Sequence, residues 1–177
     1  MMRYERILVC IDQVDRDARI LEYARGLARL SDPKAIYLLH VSVPTRIPVY
    51  TPTDSLPVFT DIGYEEPSDQ EKKSILEEMK KIGDEYLGEF DPKIRHCEKA
   101  VGFPLTEILQ FANQKEIDLI VVGRNYGERF ERGEKALLAR RITRRATCSV
   151  MTLSESFEQK CDHIVVPCRD SECFANA

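Results

Sequence analysis

Four positions in this sequence stand where a chain can meet a ligand. Asp12 follows the apolar run Arg6–Ile11, Val41 closes the run 35–41, Gly102 follows 93–100, and Gly123 closes 117–123. An aspartate after a strand can accept hydrogen bonds from a ribose, or it can cap the turn or helix that follows. The backbone at Val41 can meet the edge of a base, while its side chain belongs in a core. A glycine at 123 lets backbone approach a phosphate, or makes a strand-to-helix turn. Beyond Gly123 the chain turns basic. Arg124, Arg129, Arg132, Lys135, Arg140, Arg141, Arg144 and Arg145 stand against Glu128, Glu131 and Glu134. Guanidinium forks of this kind, Arg129, Arg132 and Arg140 among them, can hold an anion. The alternative is a solvated helix face whose last arginines complement the helix dipole.

Signatures of catalysis and of metal binding are missing: no Gly-x-Ser-x-Gly elbow, no Gly-Lys-Ser/Thr and no spaced ligand cluster. His40 sits inside a strand and reads as a core or sheet-edge histidine. His96 and Cys97 are strand neighbours, so they point to opposite faces and cannot form a nucleophile–base pair. The spacing of Cys161, Cys168 and Cys173 fits no usual ligand set. Cys10, Cys97 and Cys148 lie in or beside strand-like runs, and all six cysteines are expected to be reduced, with these three buried. No catalytic residue and no metal are expected.

The elements that position these residues follow from hydrophobic pattern. The chain has 177 residues and a net charge of −4, which fits one domain with something added and argues against a nucleic-acid coat. Its longest apolar runs, such as 7–11 and 119–122, hold five residues or fewer, so no membrane helix is expected. Nothing at the N-terminus reads as an export signal, and the cytoplasm is the expected compartment. Runs 6–11 and 35–41 are apolar on both sides, as strands of a helix-covered parallel sheet are. Further strands are expected over 93–100, 117–123 and 149–153. Helices are expected after Asp12 (capped by Asp15 or Asp17), over 68–90, with its stripe of Ile75, Met79, Ile82 and Tyr86, and over 106–115 and 136–145. Strand and helix alternate, the pattern of an open α/β sheet. Residues 44–67 carry five prolines and no sustained period, so an irregular insertion is expected there.

Residues 162–172 (DHIVVPCRDSE) can be laid on residues 5–15 (ERILVCIDQVD) without a gap, with Arg169 on Asp12. The expected organisation is a domain over 1–155, then a linker and the first strand of a truncated second copy over 156–177. A chance strand of similar composition is the alternative.

The segments RILVCID (6–12), LLHV (38–41), Gly102-Phe103-Pro104, IDLIVVGR (117–124) and ATCSVMTL (146–153) together resemble the universal stress protein family. The resemblance covers residues 3–154 apart from the insertion. It implies a flavodoxin-like, adenine nucleotide alpha hydrolase-like fold: an open five-stranded parallel sheet with helices on both faces. It also implies dimerisation through the last strand, here Val150 and Thr152. In one branch it implies ATP binding by a Gly-x-x-Gly-(nine)-Gly-Ser/Thr motif. Carried over, Asp12 matches the ribose-contacting acid, Val41 the base-contacting position and Gly123 the first glycine, with Arg124 following it. Tyr126 then stands at the second glycine, Ala136 at the third and Leu137 at the hydroxyl; a slide of one residue restores only Gly127. Each lost charge-assisted bond removes ~1.5–3 kcal/mol. The expected function is therefore a non-catalytic stress-response module without a cofactor. It would act by homodimerisation, or by pairing with a second tandem domain, and by contact with a protein partner. The alternative is a sensor of ATP, ADP, AMP or another anion that uses Asp12, Gly123 and nearby arginines.

Overall fold

The computed structural model describes residues 4–12, 18–51, 58–123 and 135–153. In chain order these form β1 (Arg6–Ile11), α1 (Ala18–Ser31), β2 (Ala35–Ser42), β3 (Thr45–Thr51), β4 (Val58–Glu65), α2 (Asp69–Leu87), a 3-10 turn (Pro92–Ile94), β5 (Arg95–Val101), α3 (Pro104–Gln114), β6 (Leu119–Gly123), α4 (Lys135–Arg145) and β7 (Ser149–Leu153). Among the described residues no helix is long and apolar enough to cross a membrane.

Five strands form one parallel sheet in the order β5-β2-β1-β6-β7. Alternate residues of each central strand enter two separate cores. Ile7, Val9 and Ile11 of β1, with Ile36, Leu38, Leu119 and Val121, pack under Leu21 and Ala24 of α1 and Met79 and Ile82 of α2. Leu8 and Cys10, with Leu39, Val41, Ile120 and Val122, pack under Ile108 and Ala112 of α3 and Ala139 and Ile142 of α4. Burial on both faces is why these strands read as unbroken apolar runs. From β1 the chain steps outward through β2 to β5. It then returns to the other side of β1 for β6 and β7, so the strand order reverses between β1 and β6.

Local chemistry fixes the ends of several elements. Ser68 caps α2, accepting from the Glu71 backbone N–H while the Glu71 carboxylate accepts from the Ser68 N–H. Asp118 Oδ2 accepts from the backbone N–H groups of Glu5 (3.0 Å) and Arg6 (2.8 Å), which anchors β6 to the start of β1. Arg95 Nη1 donates to Asp84 Oδ1 (2.8 Å) and to the Gly83 carbonyl (3.2 Å), tying β5 to α2.

Two expectations change. The 44–67 insertion is not irregular throughout: β3 and β4 pair antiparallel as a hairpin that is bonded to no strand of the main sheet. Pro48 is tolerated in it because each strand has only one hydrogen-bonded neighbour. Opposite Val49 and Tyr50 the register skips Thr60, and this extra residue breaks the alternation that would have marked β4 as a strand. The third strand of the main sheet starts at Arg95 rather than 93, because Asp91 caps a 3-10 turn at Pro92–Ile94 through the Lys93 N–H. The expected second copy over 156–177 and the expected caps Asp15 and Asp17 lie outside the described residues.

Candidate ligand crevice at the strand-order reversal

In an open parallel sheet, the carboxyl ends of the two strands at the reversal splay apart and leave a crevice. Ile11 pairs with His40 in the β1–β2 register, so Asp12 and Val41, each one residue on, lie side by side. On the other side Val9 pairs with Val121, which brings Gly123 level with Ile11. Adjacent strands are ~4.8 Å apart. The structure therefore gathers Asp12, Val41 and Gly123 across three neighbouring strands. Asp12 is half-buried, and Val41 is buried in the core beneath α3 and α4.

His40 Nδ1 lies 3.1 Å from the Ile11 carbonyl oxygen, so the ring nitrogen donates to the last residue of β1. This sheet histidine holds the ends of β1 and β2 together. Ser42 closes β2, is 7% exposed, and has a buried Oγ without a hydrogen-bond partner among the described residues. Its carbonyl accepts from the Gly102 N–H at 3.0 Å. Neither role is legible in the sequence. The only signal is a polar residue on each side of Val41 at the end of an apolar strand.

The two glycines are there for different reasons. Gly102 has φ of 154°, and a Cβ on it would stand 2.6 Å from Glu107 Oε1, so the carboxylate of α3 fills the space a side chain would take. A Cβ on Gly123 would stand 2.8 Å from Ile20 Cδ1, which makes this glycine a packing surface for α1 as well as a strand end. Phe103, between Gly102 and α3, is 57% exposed.

Arg124, Tyr126, Gly127, Arg129 and Arg132 lie outside the described residues. Ala136 and Leu137 fall in the first turn of α4. Arg140 stands halfway along that helix, ~8 Å from its start and so away from the strand ends. It is exposed, as are Arg141, Arg144 and Arg145. Val150 packs against the core under α3 and α4, while Thr152 is exposed, both on the edge strand β7.

Outside the crevice, His96 and Cys97 do face opposite ways. His96 stacks on Tyr37 at 4.8 Å, whereas Cys97 packs against the core under α1 and α2. Among the described residues, Cys10, Cys97 and Cys148 are not joined in disulfides. Of these three only Cys10 is fully buried; Cys97 and Cys148 are half-buried because they lie on the edge strand β5 and just before β7. Burial nevertheless pushes both of the latter thiols up, leaving them protonated and poorly nucleophilic. Cys161, Cys168 and Cys173 lie outside the described residues.

The sequence profile of the universal stress protein family matches residues 3–154. Universal stress protein MJ0531 of Methanocaldococcus jannaschii is 28% identical over 154 residues, which cover 86% of this chain and 83% of that protein. Among solved structures, the fold is similar to a universal stress protein in complex with cAMP, with a TM-score of 0.59 and 17% identity over 88% of this chain and 100% of that one. It is also similar to a universal stress protein from Archaeoglobus fulgidus in complex with dAMP, with a TM-score of 0.51 and 20% identity over 85% and 98% of the two chains.

Proposed function

This chain belongs to the universal stress protein family, and from that premise we propose that it is a cytoplasmic, non-catalytic stress-response module whose signal is an adenine mononucleotide. The nucleotide occupies the crevice at the carboxyl ends of β1, β2 and β6. The observation that carries this reading is the side-by-side placement of Asp12 and Val41, with Gly123 across β1 from them. Asp12 accepts from ribose hydroxyls, the Val41 backbone meets the base edge, and Gly123 admits close approach. The phosphate arm argues for a mononucleotide. Tyr126, Ala136 and Leu137 stand where the ATP-binding branch has two glycines and a hydroxyl, so a triphosphate would lack its cradle, while one phosphate needs fewer donors. The cAMP and dAMP complexes of two relatives of like fold support this choice.

The module acts through protein contacts, and its first contact is a second copy at the open edge of β7, through Val150 and Thr152. Among the described residues β7 is bonded only to β6, and an edge strand left open is a template for pairing. A scaffold that binds no nucleotide is the second reading, favoured by the same three departures at 126, 136 and 137.

Calorimetric titration of AMP, ADP and ATP into nucleotide-stripped protein tests the ligand. AMP should bind at least as tightly as ATP, and Asp12→Ala should remove the binding. Absence of binding up to millimolar nucleotide would leave the scaffold reading. For the dimer, Val150→Lys should yield monomers on a sizing column; unchanged dimers would rule out the β7 edge.

A further inference from the structure

We propose that the outward face of α4 is a docking surface for an acidic segment of a partner protein, held by Arg140, Arg141, Arg144 and Arg145. The inference goes beyond the nucleotide in the crevice and the pairing edge of β7, and depends on neither.

Helix α4 (KALLARRITRR) has no acidic residue. Ala139 and Ile142 pack into the core beside α3, which turns Arg140 and Arg144 to the side away from the sheet. Arg141 and Arg145 flank them, and all four are exposed. The rows 140–144 and 141–145 each span about one turn, a rise of ~6 Å. Like charges at that spacing repel. The helix dipole offsets the repulsion for Arg144 and Arg145, which stand in the last turn. It does nothing for Arg140 and Arg141, which stand mid-helix.

Nothing within the described residues neutralises the four: none has a carboxylate within ion-pair distance. Exposed cations elsewhere are paired, Arg29 with Glu89 and Lys34 with Glu5. Helix α2 shows the ordinary solvated face. Its exposed cations are lysines interleaved with acids, as in the pair of Lys73 with Glu77 at 4.0 Å. Face α4 carries arginines alone, and a guanidinium fork adds to bare charge a planar fit to carboxylates.

The extent of the patch selects the partner. Residues 140–145 cover only ~7.5 Å of helix. Beside them α3 exposes Gln110, Asn113 and Gln114, and Thr147 Oγ1 donates to Asn113 Oδ1 at 3.1 Å, so this flank is neutral. A nucleic-acid duplex carries a charge every ~1.7 Å along its axis and would run off the patch onto that flank. A flat anionic membrane would also meet a chain of net charge −4. A short acidic helix, with carboxylates one turn apart, matches both rows and ends where they end.

Fluorescence anisotropy of a labelled oligoglutamate peptide, titrated with the full chain at low ionic strength, tests this. The peptide should bind, and its affinity should fall as salt rises. Arg140→Gln/Arg144→Gln should weaken binding about tenfold. The same variant should keep or raise the urea midpoint, because neither side chain has a partner in the fold to lose. No binding at millimolar protein, or a variant that binds like the parent, would overturn the inference. So would a lowered midpoint, which would make the two arginines part of the fold. Tighter binding of a DNA duplex or of phosphatidylserine vesicles, lost in the same variant, would assign the face to a phosphate polyanion and overturn the acidic protein partner.

Discussion

The imidazole Nδ1 of His40 lies 3.1 Å from the carbonyl oxygen of Ile11, linking the last rung of one strand's ladder to the next at the point where the sheet opens. Beyond this bond the chain leaves β1 at Asp12 and runs on through Val41 in β2. The alignment of the two candidate ligand contacts thus depends on a ring that need touch no ligand. Replacing it tests that dependence. His40→Phe keeps the bulk but loses the donor, and should cost about 1 kcal/mol of stability in urea titration. AMP affinity should fall as well. Unchanged affinity with lowered stability would assign the ring to folding alone.

At the other end of the same sheet, Asp118 carries two backbone donors on one carboxylate oxygen. Asp118→Ala strands the N–H groups of Glu5 and Arg6 and should cost about 1–3 kcal/mol. Asp118→Asn keeps an acceptor and should cost less. Equilibrium urea unfolding of both variants checks the order. Because this anchor is at the amino ends of the strands, ligand affinity should not move in Asp118→Asn.

Ser42 leads to the opposite sign. A buried hydroxyl without a partner is a standing cost, so Ser42→Ala should raise the thermal midpoint by about 2–4 °C per kcal/mol relieved in a chain of this size. A lowered midpoint in calorimetry would mean that the hydroxyl is bonded after all.

The exposed pair Arg29–Glu89 gives a pH prediction. The hydrogen bond from Arg29 holds the Glu89 carboxyl below its ordinary range. A carboxyl whose folded value is depressed stabilises the fold above the ordinary range and loses that contribution as pH falls through the depressed value. The stability difference between the parent and Glu89→Gln should therefore be present at neutral pH and vanish in acid. It should be small and shrink with salt, since the pair lies at the surface, open to water. A difference that grows in acid would contradict the assignment.

Much of the fold was legible because two-sided burial leaves a plain trace. The runs at 6–11 and 35–41 are apolar on both faces and lie in β1 and β2, and the run at 117–123 contains β6, which begins two residues later at Leu119. The stripe of Ile75, Met79, Ile82 and Tyr86 marked the helix expected over 68–90, where α2 runs from Asp69 to Leu87. The hairpin of β3 and β4 was hidden by Pro48 and by the shift at Val49/Tyr50, which interrupt the two-residue period that marks a strand. At the crevice, Asp12, Val41 and Gly123 could be named from strand ends, because sheet topology fixes where ends meet. The roles of His40 and Ser42 could not be named, since they follow from register and from which polar atoms the fold leaves unpaired. The arginines were legible as charge but not as place: Arg140 and Arg144 turn out to lie opposite the core-facing side of α4, with no counter-ion among the described residues.

The central claim is that an adenine mononucleotide occupies the reversal between β1 and β6. Amide chemical-shift mapping during AMP titration tests it most directly. The largest changes should fall at Asp12, Val41, Ser42 and Gly123, with the amino ends of the strands unmoved. Changes centred on the exposed face of α4, or none at saturating AMP, would contradict the claim.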